Sequence, residues 1–184
     1  MVPAYDRARA LGLALLVAQA LGVCALACAS ADVGPSAVTL TGQATSAPLL
    51  VSLERTSCYG WCPVYRVAVY EDGVLEFEGE HFVLRSGLHV DRVTPAQLAA
   101  LREITARARV AELADRYVRR DYTDMPSIIT VVRLGSGYKQ VRHYFGDTSA
   151  PARLIQLEEE IDRVVEIERF IGTPAQREDL RASW

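Results

Sequence analysis

The sequence predicts an α+β domain, with an antiparallel sheet of two hairpins plus short strands covered on one face by two helices. Segments that alternate apolar and polar residues come first, a capped amphipathic segment follows, and a second alternating pair leads into a longer amphipathic segment. This order of strands, helix, hairpin and helix is typical of α+β folds. A sheet with one buried and one solvated face favours antiparallel over parallel pairing.

The domain begins near Leu49 with segments rich in β-branched and aromatic residues, which are favoured in strands. LLVSLER and VYRVAVY are predicted as the first two strands, joined by a turn that contains two cysteines. Beyond the first hairpin we expect two further short strands. The segments predicted as strands in this region cover residues 49–55, 64–70, 81–85 and 89–93.

The register of the first hairpin follows from its apolar residues. A three-residue loop that ends at Gly73, in a bulge with positive φ, puts four apolar side chains on one face. The facing pairs in this register are Val69 with Leu75 and Val67 with Phe77. A two-residue turn would place a glutamate on the buried face, so the pattern favours the bulged loop.

A capping box predicts where the first helix begins. Thr94 is the N-cap, Pro95 occupies the first turn and Gln97 supplies the third-position partner. The apolar stripe of this helix comprises Leu98, Leu101, Ile104 and Ala108. Residues 110–127 combine charges and turn formers without periodicity and are predicted to form a functional or packing loop.

The second half of the domain is predicted as a hairpin and a helix. SIITVVRL and YKQVRHYF are its strands, a Gly-Ser-Gly turn separates them, and their register is ambiguous. Pro151 then opens a long amphipathic helix, and we expect Gly172 to lie just past its end as the C-cap. The domain therefore spans residues 49–172, between a flexible tether at 29–48 and a tail at 173–184 that adds at most a short helix.

Residues 1–28 are predicted to be an export signal. Two arginines precede an apolar run, 10–27, whose small residues at its end favour cleavage over retention as a membrane anchor. The segment ALAC, which ends at Cys28, resembles a bacterial lipobox, so Cys28 is the expected site of lipidation. Ordinary cleavage after Ala29 or Ala31 stays open. We therefore expect an exported protein, lipid-anchored in the periplasm or at the outer membrane, or secreted.

Composition excludes some classes of partner. The 184 residues include 19 Arg, one Lys and 23 acidic residues, and the net charge is -3. Without a basic patch, binding to nucleic acid is not expected. The sequence contains no nucleophile elbow, Walker loop or H-E-x-x-H motif. It favours a non-catalytic binding or structural module without a cofactor, whose partner is an unknown envelope protein or small ligand.

The four cysteines divide into two pairs. If Cys28 is lipidated, Cys24 leaves with the signal and the mature domain keeps Cys58 and Cys62. Two thiols this close are usually joined in an oxidising compartment. We therefore predict an intraloop disulfide between them, with Gly60 allowing the chain to turn back.

A thiol-redox or copper-handling protein is the alternative. The motif C-x-x-x-C-P, Cys58 to Pro63, also occurs in copper-handling thioredoxin-fold proteins, and two thiolates with a distant imidazole suit Cu(I). A thioredoxin-like centre usually has C-x-x-C at the start of a helix, whereas the residues after Pro63 alternate like a strand. The alternative metal set is Cys58, Cys62 and His143.

Several short motifs together resemble one family. They are C-x-G-x-C-P-x-Y at 58–65, D-G at 72–73, K-x-V at 139–141 and L-x-x-L-E-x-x-I-D at 154–162. Through them, the chain from Leu49 to about Gly172 resembles a bacterial family of domains of unknown function, numbered six-four-three-eight. The resemblance implies an exported, often lipid-anchored domain, and it implies no known activity, ligand or catalytic residue.

The candidate binding residues are aromatic or basic. Tyr59 and Trp61 flank the central glycine of the cysteine turn and suit either exposed recognition or packing over the sheet edge. Lys139, the only lysine, is the third candidate. The histidines are expected at the surface or lining the sheet, and residues 158–160 are expected to form a solvated acidic face. We expect a partner to bind the cysteine turn together with residues 110–127.

Overall fold

The computed structural model describes residues 44–118 and 124–182, and its central feature is a seven-stranded sheet. The predicted export signal, the expected lipidation site Cys28 and residues 29–43 lie outside the described residues. The strands lie in the order β4-β3-β2-β1-β6-β7-β5. Their bounds are β1 (Leu49–Arg55), β2 (Val64–Tyr70), β3 (Val74–His81), β4 (Gly87–Arg92), β5 (Arg116–Tyr117), β6 (Ser127–Leu134) and β7 (Gly137–Tyr144).

Helices accompany this sheet and complete the α+β class that the sequence predicts. Neighbouring strands pair antiparallel except β5 and β7, which pair in parallel. The helices are α1 (Pro95–Arg107), α2 (Ala152–Val164), α3 (Glu168–Ile171) and α4 (Pro174–Ala182). The fold class is therefore confirmed. Among the described helices, none has the length and apolar character needed to cross a membrane.

The main core lies between the helices and one face of the sheet. Alternate side chains of the central strands point toward α1 and α2 and pack with their apolar stripes. Fully buried members of this core include Leu53, Leu75, Phe77, Leu101 and Leu154. A smaller cluster around Tyr70 occupies the other face. Residues 44–48 contact the sheet there, since the Ala44 amide donates to Glu76 Oε1 at 2.6 Å.

The β2–β3 hairpin has the register that its apolar pattern predicts. Val69 pairs with Leu75 and Val67 with Phe77. The connecting loop ends at Gly73, whose φ is 84°. Only glycine adopts this conformation without strain, so the bulged three-residue loop is confirmed.

The β6–β7 hairpin resolves a register that the sequence leaves ambiguous. Leu134 pairs with Gly137, so two residues form the turn. This register sets His143 opposite Ile128, on the face of the sheet that packs against the helices. The side chain of His143 therefore lies in the core.

The strand predicted at residues 81–85 is wrong. β3 ends at His81, and Phe82 has a φ of 55° that no regular strand contains. The amides of Leu84 and Arg85 donate to carbonyls of α3. This backbone therefore hydrogen-bonds to α3 and not to a neighbouring strand of the sheet. The short strand expected nearby exists as β4, shifted toward the N-terminus.

The capping box of α1 is confirmed, whereas the single long helix after Pro151 is wrong. Thr94 Oγ1 accepts from the Gln97 amide, and the Gln97 side chain accepts from the Thr94 amide. After Pro151, α2 ends at Val164, and Glu166 has a φ of 54° that interrupts the helical backbone. α3 then ends at Ile171, and Gly172 is its C-cap, as the sequence predicts.

Candidate functional site

The loop between β1 and β2, residues 56–63, is named the cysteine loop here. The Sγ atoms of Cys58 and Cys62 lie 1.98 Å apart and their Cα atoms 5.9 Å apart, within the range of a disulfide. Gly60 has a φ of 153°, and its amide donates to the Cys58 carbonyl at 3.0 Å. The chain therefore turns back at Gly60, and the two cysteines close the turn.

The cysteine loop is bonded to the segment that precedes β6. The Thr56 amide donates to the Ser127 carbonyl at 3.0 Å, and the Ser127 amide donates to Thr56 Oγ1 at 2.8 Å. The Tyr59 amide donates to the Asp124 carbonyl at 3.0 Å. The structure thus brings together the cysteine loop and the C-terminal part of the predicted 110–127 segment; residues 119–123 lie outside the described residues.

The two aromatic residues of the loop are both exposed, to different degrees. Tyr59 is 92% exposed, and Trp61 is 43% exposed. Trp61 also packs edge-on against Phe82, with the ring centroids 4.8 Å apart. The sequence suggests either exposed recognition or packing over the sheet edge for these residues. Each applies to one of them, because Trp61 packs at the sheet edge while Tyr59 projects into solvent.

Two more exposed apolar side chains lie at the same end of the sheet. Met125 follows Asp124, whose carbonyl binds the loop, and the Phe145 amide donates to the Pro126 carbonyl at 3.0 Å. These contacts place Met125 beside the cysteine loop, and they place Phe145 beside the 124–127 segment that binds the loop. We call the four exposed residues Tyr59, Trp61, Met125 and Phe145 the loop surface.

A partly buried ionic group, which we call the clamp, closes the base of the cysteine loop. It consists of Arg55, Tyr65 and Asp162. Arg55 and Tyr65 face each other across β1 and β2, and Asp162 belongs to α2. The Arg55 guanidinium donates to Asp162 Oδ2 at 2.6 and 3.0 Å, and Tyr65 Oη donates to Asp162 Oδ1 at 2.8 Å. Both carboxylate oxygens are therefore engaged.

The electrostatics of the clamp favour a positioning role over catalysis. Burial raises the pKa of Tyr65 above its usual range, and the Asp162 charge raises it further. Burial also raises the pKa of Asp162, and the Arg55 charge opposes that rise. A phenol that keeps its proton and a carboxylate with both oxygens occupied are poorly suited to proton transfer. The clamp instead ties the two ends of the loop to α2.

A second buried pair contradicts the expected solvated face at Glu158, whereas Glu159 is exposed and Glu160 is half-buried. Glu158 is only 1% exposed, and its Oε2 lies 2.8 Å from His143 Nδ1. Burial raises the pKa of Glu158, and the hydrogen bond with His143 partly offsets the rise. The signal was present in the sequence, because Glu158 lies four residues after Leu154 on the apolar stripe of α2.

The alternative metal set is not assembled in the described part of the chain. His143 is buried and paired with Glu158, and the sulfurs of Cys58 and Cys62 lie at bonding distance. Within residues 44–118 and 124–182, no three His, Cys, Asp or Glu side chains are grouped closely enough to hold a metal ion. A Cu(I) site would therefore require opening the disulfide and moving His143.

Lys139 does not belong to the loop surface. It pairs with Val132, near the turn of the β6–β7 hairpin and at the far end of the sheet from the cysteine loop. Its ammonium group forms an ion pair with Asp115. The ammonium group of this candidate binding residue is thus already paired within the chain.

An open cleft of about 470 Å³ lies at the break between α2 and α3. It is lined by Asp162, Arg163, Glu166, Ile167, Glu168 and Arg169. The cleft adjoins the clamp through Asp162, and its other charged groups are two arginines and two glutamates. This arrangement indicates no single charge class of ligand.

Comparison with known proteins places the chain in a family. A family profile described as a domain of unknown function, DUF6438, matches residues 49–165. Comparisons with curated proteins and with solved structures gave no match. The matched region runs from β1 to the end of α2 and includes the cysteine loop, the clamp and the His143–Glu158 pair. The chain therefore belongs to the DUF6438 family of domains of unknown function.

Proposed function

We propose that this protein is a non-catalytic module of the cell envelope that binds a protein partner through the loop surface. The observation that carries the proposal is Tyr59, an aromatic residue 92% exposed on a loop whose ends are joined by a disulfide. Exposed large apolar groups that cluster at one place are typical of interaction sites. Tyrosine and tryptophan are also the residues most enriched at the centres of protein interfaces.

The way the loop is held supports recognition because it lowers the entropic cost of binding. The disulfide, the backbone bonds to residues 124–127 and the clamp each restrict the loop before any partner arrives. An aromatic side chain on a fixed backbone loses few degrees of freedom on association. A loop that served only as a connection would not require three independent restraints.

The location in the envelope rests on the N-terminal sequence. The apolar run at 10–27 and the lipobox-like segment at Cys28 favour export with lipidation. To test this, the full chain and a Cys28→Ala variant are fractionated after expression in a bacterial host. Lipidation predicts membrane partitioning that is lost in Cys28→Ala, and equal partitioning of the two proteins would contradict it.

The binding proposal is tested by capturing partners from envelope extracts with the tagged full chain. Tyr59→Ala and Trp61→Ala are compared with Tyr138→Ala, a matched control that removes an exposed tyrosine from the far end of the sheet. We expect Tyr59→Ala to lower recovery of a specific partner by about tenfold or more, and Tyr138→Ala to leave it unchanged. Identical partner profiles for wild type and Tyr59→Ala would refute the loop surface as the binding site.

A thiol-redox function is the second candidate, favoured by the exposure of the loop that carries the disulfide. In that case a dithiol donor would reduce the Cys58–Cys62 bond, supplying two electrons and two protons and becoming a disulfide itself. The reduced protein would then reduce insulin disulfides or take up Cu(I), and Cys58→Ser would abolish both activities. Inactivity of fully reduced wild type in both assays would eliminate this candidate.

A further inference from the structure

Strand β4 forms one edge of the sheet. Among the strands of six or more residues, it is the most exposed to solvent. Within the described residues it pairs only with β3. None of its residues is buried. The opposite edge differs, because β5 there has only two residues. The long, accessible edge of the described sheet is therefore β4.

The ladder geometry shows which backbone groups of β4 are available. In an antiparallel pair, alternate residues direct their N–H and C=O groups toward the neighbouring strand and away from it. The Val93 amide donates to the Gly73 carbonyl at 2.9 Å, so the odd-numbered residues of β4 bond to β3. The backbone groups of Leu88 and Val90 therefore point away from the sheet.

The same two residues also carry exposed apolar side chains. Leu88 is 43% exposed and Val90 is 53% exposed, and both lie on the face of the sheet away from the helices. Edge strands of soluble proteins are usually protected by charged side chains, especially lysine, by proline, by a bulge or by a covering segment. β4 contains neither lysine nor proline, and its pairing with β3 continues without a bulge. Its two charged residues, Asp91 and Arg92, are engaged within the chain by Arg169 and by the Asp72 carbonyl.

We propose that β4 is a dimerisation edge, which pairs antiparallel with β4 of a second copy of this chain about a two-fold axis at Val90. In an antiparallel pair, a two-fold axis at a residue sets that residue opposite its own counterpart. Centring the axis on Val90 aligns Leu88 with the partner's Arg92, so outward-pointing backbone groups meet outward-pointing groups along the whole strand. The Arg92 amide, now held by Asp91 Oδ1 at 2.8 Å, also points outward.

Side-chain chemistry selects this register over its neighbour. With the axis at Val90, each His89 faces the partner's Asp91 on the helix side of the extended sheet. Asp91 already accepts from Arg169 at 2.7 Å, and its carboxylate can accept a further hydrogen bond from the imidazole, so the pairing is attractive. With the axis at His89, the two imidazoles would face each other and Asp91 would face a glycine. An independent peptide could also add to this edge, but only a second copy supplies both members of the His89–Asp91 pair.

The test introduces charged residues at Val90, the position on the two-fold axis. It uses full chains that carry donor and acceptor fluorescent proteins at their C-termini. Energy transfer between co-expressed copies is measured in intact cells. Wild-type copies are expected to show transfer well above that of a donor paired with an unfused acceptor. Val90→Lys in both copies, or Val90→Glu in both, sets like charges opposite each other and should reduce transfer to that background.

Restoration distinguishes pairing at Val90 from a general surface effect. Val90→Lys in one copy and Val90→Glu in the other should return transfer to near the wild-type level, because the charges then attract. Val90→Pro removes an amide that the β3–β4 ladder does not use, so it should abolish transfer while the protein keeps its thermal melt. Ile155→Lys, at an exposed apolar site on α2, is the control that should change nothing.

The proposal is overturned by background transfer between wild-type copies, by Lys–Lys transfer equal to wild type, or by a Lys–Glu pair that stays at background. The last two results would place any contact between copies elsewhere on the molecule.

Discussion

Two polar groups lie under α2, one helical turn apart, one partly buried and one fully buried, and their hydrogen bonds are satisfied to different extents. In the clamp, both oxygens of Asp162 accept hydrogen bonds from Arg55 and Tyr65. In the other pair, His143 Nε2 and Glu158 Oε1 have no hydrogen-bond partner among the described residues. The same helix therefore carries one saturated and one half-satisfied polar contact.

The difference in hydrogen bonding indicates which of the two contacts stabilises the candidate site. A buried ion pair is stabilising only if its remaining hydrogen-bonding capacity is filled, and otherwise it costs stability relative to apolar packing. The clamp joins both ends of the cysteine loop to α2, so its saturation fixes the geometry of an exposed surface. The His143–Glu158 pair joins only β7 to α2, within the core.

The largest effect is expected when the clamp is broken. Asp162→Ala leaves the Arg55 guanidinium without its carboxylate, and the Arg55 side chain is only 23% exposed. We expect the free energy of unfolding to fall by about 3 kcal/mol, at the low end for a buried pair because Arg55 retains some access to water. Urea unfolding followed by tryptophan fluorescence measures this change.

A surface pair provides the matched control for that experiment. Glu160, on the same helix, pairs with Arg107 at 2.5 Å, and the Arg107 side chain is 56% exposed. Glu160→Ala is expected to cost less than about 1 kcal/mol, because exposed ion pairs contribute little. Equal losses for the two variants would contradict the role assigned to the clamp.

Removing the disulfide breaks the other restraint on the loop and should have the next largest effect. The Cys58→Ser, Cys62→Ser double variant is expected to lose about 2 kcal/mol of unfolding free energy, because a closed loop this short restricts the unfolded chain only modestly. The fold should survive, since the clamp still holds both ends of the loop. Thermal melts of wild type with and without reductant give the same comparison. An unchanged melting temperature after confirmed reduction would oppose the prediction.

Replacing the His143–Glu158 pair should change the free energy of unfolding by a smaller amount and should raise it. His143→Leu combined with Glu158→Leu exchanges two incompletely bonded groups for apolar side chains in an apolar core, and we expect a gain of about 1 kcal/mol. The single variant Glu158→Leu should be less stable than the double variant, because it leaves His143 without its partner. A double variant less stable than wild type would show that the pair is net stabilising.

Local patterns explain why much of the fold was predictable. The β2–β3 register follows from four alternating apolar residues and one glycine, and the start of α1 follows from a capping box, all within a few residues of each other. The strand expected at 81–85 failed for a non-local reason, since that backbone bonds to α3. The break at Glu166 has no glycine or proline to mark it, and the apolar period continues across it.

The candidate site was predictable only in part. Tyr59, Trp61 and the cysteine pair stand out within a single short motif. The clamp does not, because Arg55 and Asp162 are 107 positions apart and nothing in either segment indicates the other. The burial of Glu158 was accessible from its place on the apolar stripe, but the run of three glutamates resembled a solvated surface.

The smallest predicted effect is a pH dependence that isolates Glu158. Burial raises the pKa of Glu158 above its ordinary value of 4.5, so the folded protein holds this proton to a higher pH than the unfolded chain does. Its contribution to stability is therefore fully present below pH 4.5 and is lost as pH rises through the folded-state pKa. Glu158→Gln should show a smaller fall in unfolding free energy between pH 4.5 and neutrality than wild type.

Asp162, whose pKa is also raised, is present in both proteins and largely cancels in the difference. Glu159→Gln, at an exposed neighbouring site, should follow the wild-type profile. Parallel profiles for wild type and Glu158→Gln would mean that Glu158 titrates alike in the folded and unfolded chain, and the contrast between the two polar groups would then rest on hydrogen bonding alone.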